Sequence, residues 1–216
     1  MKTIAFIDCF VNTPVNHSVN SYSLHTDNKC TYHMPSVYGL KSLEQLEETD
    51  AYIILGSASH ITEKLNWHKE LLDFIIPKIE ANIPTLGICF GHQLIADYYG
   101  CEVGYIYKDK QMLTEVRDIQ ITEESMGLKV NENYSIAFAH SQIVKNISEQ
   151  FISFANSSLS QYEALKHKSF NYWSFQAHPE ASKVFLKDEV KLSTDETISQ
   201  TQSQGFHIID MFCNQF

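Results

Sequence analysis

Apolar and polar positions fall into two rhythms along this chain, and the first half carries the rhythm of short buried strands joined by helices. Ile4–Cys9 is an apolar run broken only by Asp8, as in a strand covered on both faces. Residues 11–36 are dense in Asn, Ser, His and Thr, so loop is expected there, with one irregular strand near Cys30–Met34. Ala51–Leu55 reads as a second buried strand. The small residues Gly56-Ser57-Ala58-Ser59 then supply a tight loop that exposes backbone. From Thr62 the period changes. Leu65, His68, Leu72, Ile75, Ile76 and Ile79 recur at helical spacing, with Pro77 expected to kink or restart the helix. Thr85–Cys89 is a third strand. Phe90, Leu94, Ile95 and Tyr98 then form one face of a helix closed by Gly100, where a left-handed residue is wanted.

The second half favours strands. Segments 101–107, 112–121, 134–140, 150–155 and 170–178 are rich in Val, Ile, Tyr and Phe with partial alternation. Residues 187–204 are almost wholly polar, and Phe206, Ile209, Phe212, Cys213 and Phe216 mark a terminal amphipathic helix. Strand–helix alternation predicts an α/β fold with a mostly parallel central sheet flanked by helices, and sites at the carboxyl ends of its strands. A length of 216 residues suits one domain spanning 1–216.

Composition narrows the class. At 44% hydrophobic residues the chain can build a core, which excludes disorder. A net charge of −10 argues against binding nucleic acid or anionic membrane surfaces. The five cysteines form no C-x-x-C pair and suit neither a disulfide framework nor a zinc knuckle, so a reducing, cytoplasmic setting is expected. No histidine group has metal-ligand spacing, and no glycine-rich phosphate loop is present; neither metal nor cofactor is expected.

Chemistry concentrates at two places. Gly87-Ile88-Cys89-Phe90-Gly91 is the cysteine counterpart of a nucleophile elbow, in which flanking glycines let strand and helix meet across a sharp turn. A cysteine there faces unpaired backbone N–H groups at a helix start, a setting that favours attack by sulfur. Cys9, Cys30, Cys101 and Cys213 lack the bracket and read as core. His178-Pro179-Glu180 ends an alternating segment, and residues two apart on a strand share a face at roughly 6.6 Å. The Glu180 carboxylate is therefore within reach of the His178 ring, giving Cys89 an acid and its orienter.

Together the motifs Gly87-Ile88-Cys89-Phe90-Gly91-His92-Gln93 and Gln176-Ala177-His178-Pro179-Glu180 resemble those of the class I glutamine amidotransferases, G-x-C-x-G-x-Q and Q-F-H-P-E. Order and spacing are similar to the glutaminase domain of GMP synthase, here expected to be free-standing. The resemblance implies a flavodoxin-like architecture and a nucleophile, Cys89, that forms a γ-glutamyl thioester. His178 is then the acid and base, Glu180 its orienter, and Gln93 a residue that holds glutamine. It also implies an oxyanion hole from the backbones of Ser57 and Phe90. The family loop S-G-G-P reads Leu55-Gly56-Ser57-Ala58 here, and its S-H-x-D-x-V reads Ala139-His140-Ser141-Gln142-Ile143-Val144. Gly56, His140, Ser141 and Gln142 are accordingly expected to help seat the substrate. Glutamine or another γ-glutamyl compound is the expected substrate, and a synthetase subunit the expected partner. A self-sufficient γ-glutamyl hydrolase and a catalytically idle regulatory module are the alternatives.

Overall fold

The computed structural model describes residues 1–12 and 14–216; Thr13, inside the expected loop of residues 11–36, lies outside them. The chain runs β1 (Thr3–Ile7), α1 (Asn16–Ser23), β2 (Lys29–His33), the single turns α2 (Pro35–Tyr38) and α3 (Lys41–Glu44), β3 (Ala51–Ile54), α4 (Asn66–Glu80), β4 (Thr85–Ile88) and α5 (Phe90–Tyr98). There follow β5 (Glu102–Tyr105), β6 (Leu113–Ile121), β7 (Asn133–His140), β8 (Gln142–Asn146), β9 (Phe151–Asn156), β10 (Ala164–His167), β11 (Tyr172–Phe175), α6 (Lys183–Asp188) and α7 (Asp195–Cys213).

Among the described residues, nine strands form one sheet in the order β2-β1-β3-β4-β11-β10-β9-β6-β7, and β5 pairs with β8 beside it. The five strands from β2 to β11 are mutually parallel, and the remaining four continue the sheet antiparallel. The expected α/β architecture is present, mostly but not wholly parallel. Strand alternation divides the core into two layers. Ile4 and Phe6 of β1 face α1 and α7, against Tyr22, Phe206 and Phe212. Ala5 and Ile7 face α4 and α5, against Leu71, Ile75 and Leu94.

Several expectations are corrected. Residues 16–23, expected as loop, form α1, because Val19 and Tyr22 bury one turn apart beneath α7. The helix after β3 begins with a 3₁₀ turn (Ile61–Glu63) closed by left-handed Lys64, and α4 proper starts at Asn66. Leu71 rather than Leu72 is its buried leucine, and Leu65 is exposed. Pro77 does not restart α4, which runs unbroken through it to Glu80. Tyr98 is 48% exposed rather than on the buried face of α5. Gly100 does close that region in the left-handed conformation, at φ 83°. The polar stretch 187–204 contributes the first half of α7, capped by Thr194, whose hydroxyl accepts from the Thr197 N–H, with Asp195 and Glu196 on the positive end of the dipole. Strands β8 and β10 have no counterpart among the expected segments.

Candidate active site

Cys89 stands between β4 and α5 with φ 51° and ψ −98°, a strained conformation for a residue with a β-carbon. Glycine is required on both sides of it. A β-carbon at Gly91 would lie 2.6 Å from the Ile54 carbonyl oxygen, and one at Gly87 would lie 2.4 Å from the Tyr172 hydroxyl. The Cys89 N–H donates to the Phe175 carbonyl at 2.8 Å, extending the β4–β11 ladder by one residue. That bond ties the cysteine to the strand whose continuation carries His178.

The His178 N–H in turn donates to the Ala137 carbonyl at 2.8 Å, which hangs the segment from β7. His178 Nδ1 lies 2.9 Å from Glu180 Oε1, and both side chains are buried. Burial alone would pull the His178 pKa down. The Glu180 carboxylate and the neighbouring Cys89 sulfur outweigh it and carry the ring well above the usual imidazole range. Nε2 is buried and finds no hydrogen-bond partner among the described residues. Behind the pair, Gly205 of α7 presses on the same segment: a β-carbon there would lie 2.4 Å from the Pro179 carbonyl oxygen.

In front of Cys89 is a small pocket that the structure lines with Ser57, Phe90, Gln93, His140, Ser141 and Gln142, all expected at the site, together with Ala58, Ser59, His60, Met112 and Ala139. Gly56 sits between pocket and histidine, where a β-carbon would come within 2.9 Å of His178 Cε1. The Gln93 amide is largely spoken for. Its Nε2 donates to the Gln142 carbonyl at 2.7 Å and to Gln176 Oε1 at 3.0 Å, leaving only Oε1 for a ligand. Gln176 Nε2 approaches Cys89 Sγ at 3.7 Å, so Gln176 links Gln93 to the cysteine; the spacing patterns carry no sign of this role. Thr62, also unforeseen, accepts from Gln142 Nε2 at 3.1 Å.

Two further histidines are held neutral. Burial pushes the His140 pKa down to about 4, helped by His178 and Arg117 and opposed by its bond to the Gln142 carbonyl. Burial, with His140 nearby, pushes His92 down to about 3. His140 Nδ1 donates to that carbonyl at 2.9 Å, so its neutral ring carries a lone pair on Nε2. Among the described residues no group of three or more His, Cys, Asp or Glu is disposed to hold a metal ion. No described helix is long and apolar enough to cross a membrane.

The family model for glutamine amidotransferase class-I matches residues 6–189. The glutamine-hydrolysing subunit of GMP synthase from Methanocaldococcus jannaschii is 32% identical over 157 residues, covering 73% of this chain and 78% of that protein. Gamma-glutamyl peptidase 4 of Arabidopsis thaliana is 31% identical over 149 residues, covering 67% of this chain and 59% of that protein. A glutamine amidotransferase of Thermotoga maritima shares the fold, with a TM-score of 0.76 at 15% identity over 100% of this chain and 98% of that one. With the family model spanning most of its length and the elbow and His-Pro-Glu segment within that span, the chain belongs to the class I glutamine amidotransferases.

Proposed function

We propose that the protein hydrolyses the side-chain amide of glutamine through a thioester on Cys89 and passes the ammonia to a synthetase partner. The observation that carries this reading is the buried Glu180–His178 pair beside a cysteine held at a strained elbow. Cys89 Sγ attacks the amide carbon, and the oxyanion that forms is met by the N–H groups of Phe90 and Ser57. His178 delivers its proton to the departing nitrogen, releasing ammonia and leaving the γ-glutamyl thioester. It then takes a proton from water as the water attacks, and glutamate leaves with the thiol restored. Glu180 keeps the imidazole oriented and stabilises its charge. Gln93 Oε1 accepts from the substrate ammonium, while His140, Ser141, Gln142 and the loop at Gly56 shape the pocket. The name of the Methanocaldococcus relative, a glutamine-hydrolysing subunit of a synthase, supports both the substrate and a partner.

A second reading, a self-sufficient γ-glutamyl hydrolase, is favoured by the Arabidopsis peptidase relative and by Ser57-Ala58 and Gln142 departing from the family pattern. One experiment separates the readings. One portion of the purified chain is incubated with 6-diazo-5-oxo-L-norleucine and checked for label, and a separate, untreated portion is assayed with glutamine and with γ-glutamyl amines. Label on Cys89 with slow glutamine turnover supports the partner-dependent enzyme. Label with fast turnover of γ-glutamyl amines supports the hydrolase. No label at all supports an idle module.

A further inference from the structure

The loop after β3 carries side-chain hydrogen bonds that a Gly-Gly-Pro sequence has no groups to make. Ser57 Oγ donates to the Cys9 carbonyl at 2.7 Å and accepts from the Ser59 N–H at 3.0 Å. One hydroxyl thus ties the loop to the segment just beyond β1 and closes the turn that contains its own peptide. The anchor is firm. Cys9 is fully buried, and fully buried Asp8 beside it accepts from the N–H groups of Phe10 at 2.9 Å and Val15 at 2.8 Å and from the Tyr32 hydroxyl. Downstream, Ser59 Oγ donates to Glu63 Oε2 at 2.7 Å, fixing the loop's far end. Ser57 is absent from the residues with positive φ, so a β-carbon there brings no backbone strain.

We propose that the Ser57 hydroxyl is a positioning group. By its bridge to Cys9 it fixes the peptide plane whose N–H meets the oxyanion, in place of the fixed φ a proline would bring to position 58. The proposal rests on the reading of Cys89 as nucleophile. Because the oxyanion exists only beyond the ground state, the bridge acts on kcat and leaves KM alone.

The test uses the full chain as wild type, Ser57→Ala and Ser57→Thr, with L-glutamine and γ-glutamyl-p-nitroanilide as substrates. Removing an oxyanion donor outright costs about 10²–10³ in kcat. Misaiming one should cost Ser57→Ala roughly 10–100-fold, with KM within about twofold. Ser57→Thr, which keeps the hydroxyl, should stay within about threefold of wild type. An unchanged kcat in Ser57→Ala, a change confined to KM, or an equal loss in Ser57→Thr would each overturn the proposal. Labelling by 6-diazo-5-oxo-L-norleucine in parallel, unassayed portions of the same preparations distinguishes the failures. Unlabelled wild-type Cys89 removes the nucleophile reading and the bridge with it, whereas labelled wild type beside an unimpaired Ser57→Ala removes the bridge alone.

Discussion

Glu180 Oε1 lies 2.9 Å from Nδ1 of His178, with both side chains withdrawn from solvent, and this contact sets the charge of the ring. A raised native pKa means the folded protein holds a proton that the unfolded chain releases. The resulting stabilisation is complete below the unfolded value of about 6.5 and fades as pH rises through the native one. In Glu180→Gln, burial regains the upper hand and the ring's pKa falls. The alkaline limb of kcat/KM should move down accordingly. The deficit in Tm against wild type should be largest near pH 6 and narrow in alkali. A pH–rate profile with an unmoved alkaline limb would show that Glu180 does not govern the ring.

Replacing Cys89 should separate chemistry from strain. Cys89→Ala removes the sulfur but keeps the β-carbon at φ 51°, so it should be inactive and no less strained. Cys89→Gly should be equally inactive yet more stable than Cys89→Ala by about 1–3 kcal/mol, the usual cost of such a conformation. At about 2–4 °C per kcal/mol for a chain of this size, calorimetry resolves the difference.

Gly56→Ala tests how closely the loop and the acid are fitted. The new β-carbon would meet His178 Cε1 at 2.9 Å, and the ring cannot swing away while Glu180 and Phe185 hold it. A displacement of even about 1 Å costs up to about 10²-fold in rate. Expected is a kcat lower by roughly 10–100-fold, with circular dichroism unchanged.

Gly205→Ala should reverse the usual sign of its substitution. Inside an exposed helix, Gly to Ala gains about 0.5–1 kcal/mol. Here the methyl would meet the Pro179 carbonyl at 2.4 Å, backbone against backbone. Overpacking of this kind costs about 1–3 kcal/mol. Denaturant unfolding should show the loss, and turnover should fall with it because His178 and Glu180 flank that carbonyl.

Most of the site's frame was legible because it rests on local sequence. Gly87 and Gly91 announce the elbow, and Pro179 marks a strand end between two titratable groups. What escaped depends on tertiary contact. α1 has only Val19 and Tyr22 to signal it, and it is stabilised by α7. Gln176 bridges Gln93 and Cys89 through side-chain bonds spanning up to 87 positions, a relation no periodicity encodes. β10 is short and lies at the turn from parallel to antiparallel pairing, where alternation is weak.

The pairing of β4 with β11, which aligns Cys89 with the strand leading to His178, also governs how the protein is assembled in time. The two strands pair across a separation of more than eighty residues, a non-local contact whose loop-closure entropy must be met before the pair forms. Whatever the order of events, Cys89 and His178 meet only once that long loop has closed. Trp173, paired with Leu86 across those two strands, places one of the chain's two tryptophans at the closure. In this fold the meeting of Cys89 and His178 is thus tied to the docking of β11 on β4.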